Sequence, residues 1–169
     1  MGATARVDKA TRLRQKASYR WRFPERALHV VDIENLAGAP IPSLLQVNEL
    51  QDWYMTRLGF GADDQVVMAS SHLTFLNAAL GWPHARYRVR SGPDGADLAL
   101  LDVLRHENVA QRFTHVAIGS GDHLFAEQAA HLAAHGVWVT VVSRHRSLSP
   151  RLAMAARQVI FLDTAPEAA

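Results

Sequence analysis

The sequence predicts an α/β fold: a mostly parallel central sheet with helices on both faces, in a three-layer α/β/α arrangement. Short apolar runs rich in β-branched residues alternate with amphipathic stretches of about 10 to 15 residues, which is typical of βαβ units. Most of these runs are apolar throughout, as expected for strands buried on both faces. At 169 residues, the chain is long enough for one domain with its own core.

The first half of the chain shows three strand patterns separated by two helix patterns. Ser43 is a favourable N-cap and Gly59 a favourable end for the first helix. The run HARYRVRS alternates apolar and polar residues, so we expect it nearer the sheet edge. The predicted elements are strands at 27–35, 64–70 and 84–91 and helices at 44–58 and 72–81.

The second half repeats the alternation after a loop rich in glycine and proline. A helix pattern runs through Leu98 to Val109, and the apolar strand patterns that follow are again separated by helical spacing or by a loop. The predicted elements after that helix are strands at 114–120, 137–143 and 158–163 and a helix at 123–136.

Charge divides the chain into a basic arm at 1–26, a body at 27–163 and a short tail at 164–169. The arm holds eight Lys and Arg residues against two acids, which suits contact with a polyanion. Arg20, Trp21 and Arg22 interleave guanidinium and aromatic groups, so this segment either grips single-stranded nucleic acid or pins the arm to the body.

The composition limits the kinds of metal site and the cellular compartments that are compatible with the chain. The chain has no cysteine, which excludes disulfides and thiolate metal sites. No apolar run is long enough to span a membrane, and the N-terminus lacks the apolar centre of a secretory signal. The sequence therefore predicts a soluble, cytoplasmic protein.

Three carboxylates occur where an open α/β sheet binds its ligands. Asp32 ends the first strand and Asp122 follows the fourth, and they meet across one crevice if those strands are neighbours. Asp97 occupies the first turn of a helix, where it also suits the helix dipole. Asp102 lies five residues on, about 140° around the axis, so at most one of these two points into a shared site, and we favour Asp97.

Converging carboxylates repel one another, and a divalent cation relieves that repulsion. Oxygen ligands without thiolates favour Mg²⁺ or Mn²⁺, which keep waters and bridge to substrate phosphates. A site of this kind suits hydrolysis of a phosphodiester. Asp also caps helices and ends strands for purely structural reasons, so the acidic-site interpretation and the structural one stay open at this level.

Three motifs resemble a known family. VVDIENL resembles the opening D-x-x-N strand motif of the NYN domain, a branch of the PIN-like nucleases. GADLALLD resembles the family's K-G-x-D-x-x-L-x-x-D helix start, and IGSGDHLF resembles its S-G-D-x-D-F turn. The resemblance covers residues 27–163 and implies a PIN-like fold, metal-dependent hydrolysis of RNA, and a Mg²⁺ or Mn²⁺ cofactor.

The resemblance also implies roles for particular residues. Asp32, Asp97 and Asp122 would be catalytic metal ligands, Asn35 and Ser120 would orient ligands or a phosphate, and Asp102 would act through water. The chain departs from the pattern at Leu124, which replaces the second Asp of the turn, and at the missing Lys before Gly95. Asp94 or Glu34 would have to compensate.

Further side chains near the predicted edge suit phosphate contact. His123 follows Asp122 directly and either touches phosphate or simply faces solvent at a helix start. Arg144 and Arg146 follow the fifth strand, on the same edge as the acids, where they position phosphate or form an exposed loop. His131 and His135 are one helical turn apart and are the alternative place for a metal.

Two other functions remain open. In haloacid dehalogenase phosphatases a strand-end Asp is phosphorylated and a later turn binds Mg²⁺, a pattern that Asp32, Asp122 and Glu127 resemble, although Lys9 and Lys16 both precede the first strand. The third hypothesis is a degenerate nuclease fold that binds RNA or a protein partner. A homo-oligomer is also compatible with the sequence.

Overall fold

The computed structural model describes residues 26–163; the proposed arm segment with Arg20, Trp21 and Arg22, and the tail, lie outside the described residues. The described chain forms one six-stranded parallel sheet in the order β3-β2-β1-β4-β5-β6. The strands are β1 (Ala27–Asp32), β2 (Gln65–Ser70), β3 (Arg86–Val89), β4 (His115–Gly119), β5 (Trp138–Ser143) and β6 (Gln158–Phe161).

Helices cover both faces of this sheet, which confirms the three-layer α/β/α prediction. Side chains of α1, α2 and α3 pack in one core cluster and those of α4 to α7 in the other. The helices are α1 (Ile33–Ala37), α2 (Leu44–Leu58), α3 (Phe75–Gly81), α4 (Gly95–His106), α5 (Val109–Arg112), α6 (Ala126–Ala134) and α7 (Pro150–Ala155), with a 3₁₀ turn at His123–Phe125.

The strand order places β1 beside β4, as the acid-site prediction required. β1 pairs with β2 on one side, with Val30 opposite Val67, and with β4 on the other, with Val31 opposite Gly119. From β1 the chain winds outward through β2 to β3, then returns to β4 and winds outward the other way. The switch point of the sheet therefore lies between the carboxyl ends of β1 and β4.

Local capping explains where the helices begin. Ser43 and Gln46 form a reciprocal capping box, in which the Ser43 Oγ accepts from the Gln46 amide at 3.3 Å and the Gln46 Oε1 accepts from the Ser43 amide at 2.9 Å. The expected helix at 44–58 is therefore confirmed. The structure differs from the sequence prediction in two places. Residues 27–35 are predicted as one strand, but α1 begins at Ile33, and the sequence does not predict α7.

The amino edge of the sheet is closed by a buried polar group. His29 is fully buried, stacks on Phe60 at 4.2 Å between ring centres, and lies 3.2 Å through its Nδ1 from the Tyr54 hydroxyl. Burial lowers the pKa of His29 although Asp64 lies near its Nε2.

No helix within residues 26–163 is long and apolar enough to cross a membrane.

Candidate functional site

The carboxyl ends of β1 and β4 form the floor of the candidate site. After β1 the chain turns into α1 on one face, and after β4 it turns into the 3₁₀ turn and α6 on the other. The loops diverge from the switch point, and α4, which crosses back from β3, begins at the same edge. These three places carry Asp32, Asp122 and Asp97 respectively.

Asp32 serves as the N-cap of α1 and is buried, with 5% of its surface exposed. Its Oδ1 accepts from the amides of Glu34 and Asn35, both at 3.1 Å. Burial raises the pKa of Asp32, and the charge of Glu34 adds to that effect, while the two amides oppose it. The structural role of a cap and a role in the site therefore coexist in one carboxylate.

Asp97 lies opposite Asp32 in the first turn of α4, and 7% of its surface is exposed. Burial, followed by the negative charge of Asp32, raises the pKa of Asp97 to about 8, so the two carboxyl groups are near enough to interact. The Oδ1 of Asp97 is buried and has no hydrogen-bond partner within the described part of the chain.

Asp102 lies outside this group. Its side chain is 60% exposed and its carboxylate lies 3.7 Å from the Arg90 guanidinium. The helical angle between positions 97 and 102 thus separates the two acids as expected, with Asp97 inward and Asp102 outward.

Asp122 flanks the pair on the β4 side. Its Oδ1 accepts from the Leu124 amide at 2.8 Å, capping the 3₁₀ turn, and lies 3.0 Å from the His123 Nδ1. The Asp122 side chain is 27% exposed, and its charge contributes to the raised pKa of Asp97. The His123 side chain is exposed and contacts the neighbouring Asp122 carboxylate.

Asn35 and Ser120 hold the loop after β4 against the loop after β1. The Asn35 Oδ1 accepts from the Gly121 amide at 3.0 Å, and the fully buried Ser120 accepts through its Oγ from the Asp122 amide at 3.2 Å. These contacts fix the position of Asp122 relative to Asp32. Direct contact of either side chain with a ligand stays a prediction.

Gly121 is the point where three loops meet. A Cβ at this position would lie 2.2 Å from the Ser147 carbonyl oxygen and 2.5 Å from the Ser143 Oγ. The Gly121 carbonyl also accepts from the Ser149 amide at 2.8 Å. Only glycine therefore lets the loop after β5 pack against the loop that carries Asp122.

The two arginines expected to position phosphate differ in their surroundings. The Arg144 Nη1 donates to the Ala37 carbonyl at 2.7 Å, so its guanidinium caps the C-terminus of α1 and packs against Gly38. Arg146 is exposed in the loop after β5 and forms no ion pair with any residue from 26 to 163. A phosphate-positioning role suits Arg146 better than Arg144.

The two residues expected to compensate for Leu124 have different surroundings. Glu34 is half-buried and its Oε1 accepts from the Ser71 amide at 2.9 Å. Asp94 is exposed, and its charge reaches Asp97. Leu124 itself packs against the core on the α4 side, so no carboxylate replaces the family acid at that position.

The donor set fits a hydrated hard cation better than a closed metal site. Among residues 26–163 no group of three or more His, Asp or Glu side chains is arranged to hold a metal ion by itself. Mg²⁺ is often held by one or two carboxylates together with waters and substrate phosphates. Asp32 and Asp97, with a free buried oxygen on Asp97, supply such a pair.

Comparison with known proteins supports the fold alone. No family model and no curated protein matches the chain. The structure is similar to the crystal structure of a protein of unknown function from Vibrio parahaemolyticus, with 17% sequence identity and a TM-score of 0.52. The match covers 82% of this chain and 93% of the other. The α/β architecture is thus shared by a distant protein.

Proposed function

We propose that this protein is a metal-dependent ribonuclease of the NYN or PIN-like type, using Mg²⁺ or Mn²⁺. The observation that carries the proposal is the pair of buried carboxylates, Asp32 and Asp97, which interact at the switch point and form no ion pair with any residue from 26 to 163. Two buried acids with no basic partner are unfavourable together unless a proton or a cation lies between them. The order of the three family-like motifs also supports the proposal.

Different residues of the candidate site have different proposed roles. Asp32 and Asp97 hold the cation, and the α1 amides orient Asp32 by occupying its Oδ1. Asp122, more exposed than the pair, accepts a proton from the attacking water or orients it, and Arg146 contacts a flanking phosphate. A bound divalent cation lowers the pKa of water and stabilises charge on the leaving oxygen of a phosphodiester.

Cleavage of a 5′-labelled single-stranded RNA in Mn²⁺ tests the proposal. We expect Asp32→Asn and Asp97→Asn each to lower the rate by on the order of 100-fold or more, since each removes a charge that holds the cation. The matched control is Asp52→Asn, which removes an exposed acid of α2 outside the candidate site and should leave the rate unchanged. If Asp32→Asn cleaves as fast as the wild type, the ribonuclease proposal is wrong.

A second candidate function is RNA binding without cleavage. It is favoured by Leu124, which occupies the core where the family pattern places an acid. The pKa of Asp97 is raised to about 8, so protonation is an alternative to a cation for relieving the repulsion between Asp32 and Asp97 near neutral pH. Calorimetric titration with Mn²⁺ separates the candidates, because only the nuclease requires binding that Asp97→Asn abolishes.

A further inference from the structure

Edge strand β3 and the residue that follows it carry a row of exposed arginines outside the acid site. Arg86, Arg88 and Arg90 alternate with partly buried neighbours, so the three side chains lie on the same face, roughly 6.6 Å apart along the strand. That face is the one covered by α4. The three side chains are between 42% and 50% exposed.

The row carries more positive charge than its partners neutralise. Glu107 accepts from the Arg86 Nη2 at 2.7 Å and from the Arg88 Nη2 at 3.3 Å, and the Arg112 Nη1 lies 3.5 Å from the same carboxylate. Among the described residues, Arg90 forms an ion pair with Asp102 at 3.7 Å. Two carboxylates therefore face four guanidinium groups, which leaves a surplus of positive charge.

The row connects the two parts of the molecule that are expected to meet nucleic acid. At the amino edge the guanidinium carbons of Arg26 and Arg112 each lie 5.1 Å from the centre of the Phe113 ring, and Arg26 is the residue at which the basic arm joins the body. At the carboxyl edge the Arg90 carbonyl oxygen would lie 2.4 Å from a Cβ on Gly95, the first residue of α4. Asp97 follows two residues later.

A groove runs beside the row between β3 and α4. Its volume is about 530 Å³, and its lining includes Arg88, Arg90 and His106 on the basic side and Asp102 and Glu107 on the acidic side. The groove is open and charged side chains line its rim, so it suits an extended charged chain more than a small apolar ligand.

We propose that Arg86, Arg88 and Arg90, with Arg112, form a track that binds the phosphates of single-stranded RNA and guides the strand from the Arg26 end of the sheet to the acid site. The inference rests on the proposed ribonuclease function for its choice of RNA. Charge complementarity selects the occupant: clustered, half-exposed guanidinium groups with a surplus of positive charge match a chain of phosphates. Glu107 neutralises part of that charge.

Fluorescence anisotropy with a labelled oligouridine of about 20 nucleotides, in EDTA so that no cleavage occurs, tests the track in the full chain. We expect Arg86→Gln combined with Arg88→Gln to weaken binding on the order of tenfold. The slope of log K against log salt should fall by about 1.4, because each lost contact with a single strand removes about 0.7. The control is Arg57→Gln combined with Arg157→Gln, which removes two charges from α2 and from the residue before β6.

A second variant distinguishes a loss of RNA binding from a loss of folding. Glu107→Gln removes the carboxylate that neutralises the row, so we expect tighter binding, and a misfolded protein would not produce that gain. The track is overturned if the double arginine variant and its control show the same affinity and salt slope, if Glu107→Gln does not tighten binding, or if the wild type binds no RNA.

The two proposals fail in different measurements. If the acid site is not catalytic, Asp32→Asn cleaves normally while the arginine variant still weakens binding in EDTA. If the track is wrong, the arginine variant binds like its control while Asp32→Asn still abolishes cleavage.

Discussion

The Asp32–Asp97 pair is an unusual arrangement at the scale of single residues, because both carboxylates are buried and neither has a basic partner among the described residues. Burial disfavours the charged form of each, and each charge disfavours the other. The pKa values of both carboxyl groups are therefore raised. If the pair binds a cation as proposed, metal binding would release a proton at this position.

Asp97→Asn should change how stability depends on pH. The carboxyl of Asp97 has an ordinary pKa of 3.8 when unfolded and a pKa of about 8 in the folded protein. Because the raised pKa means that the folded state binds the proton more tightly, the contribution to stability is full below pH 3.8 and is lost as pH rises through about 8. The Asn side chain cannot ionise, so the variant lacks this loss.

Thermal unfolding in EDTA at about pH 5 and about pH 9 measures the effect. We expect Asp97→Asn to gain melting temperature relative to the wild type on going from the lower pH to the higher one. Asp102→Asn is the comparison on the same helix, because that side chain is exposed. An equal pH response of Asp97→Asn and wild type would contradict the raised pKa.

At the scale of elements, the site depends on how closely the loops after β1, β4 and β5 pack. Gly121→Ala would place a methyl group against the backbone of Ser147. We expect a loss of about 1 to 3 kcal/mol in the free energy of unfolding, measured by urea titration, because the loop after β5 has to move away. Cleavage should fall as well, since Asp122 follows directly.

Gly119→Ala provides the comparison two residues earlier. Its Cβ would lie 2.9 Å from the Leu36 Cδ1, the far end of a flexible side chain, so a small rearrangement relieves the clash. We expect a smaller loss of stability than for Gly121→Ala. The account of the loop junction is wrong if the two substitutions cost the same.

Several elements could be predicted because their signals are local. The capping residue Ser43, the glycine at 59 and the apolar runs of β1, β2, β4 and β5 all act within a few residues. Helix α1 also carries local signals, since Asp32 is its N-cap and Gly38 its left-handed C-cap, but the apolar character of the run obscured them.

At the scale of the whole molecule, the proposed binding of a cation at the switch point would stabilise the folded state by mass action. At a free Mn²⁺ concentration about 100 times the dissociation constant, the gain is about 2.7 kcal/mol. The gain should be larger at about pH 8 than at about pH 6, because at the lower pH a proton competes for Asp97. Melting curves with and without Mn²⁺ measure it.

Asp32→Asn should remove the Mn²⁺-dependent part of the melting temperature, whereas Asp52→Asn should retain it. A shift of equal size in both variants would mean that Mn²⁺ binds elsewhere on the chain, and the pair would then have no special affinity.

The sequence by itself determined the α/β class, the order of the strands and of most helices, and the placement of Asp32, Asp97 and Asp122 at strand ends or a helix start, because periodicity and caps are properties of neighbouring residues. Only the tertiary structure decided which residues meet. Arg144 binds the carbonyl of Ala37, more than a hundred positions away. The arginine row pairs with Asp102 and Glu107 only because β3 lies beside α4, since contacts between distant segments follow from packing rather than from local pattern.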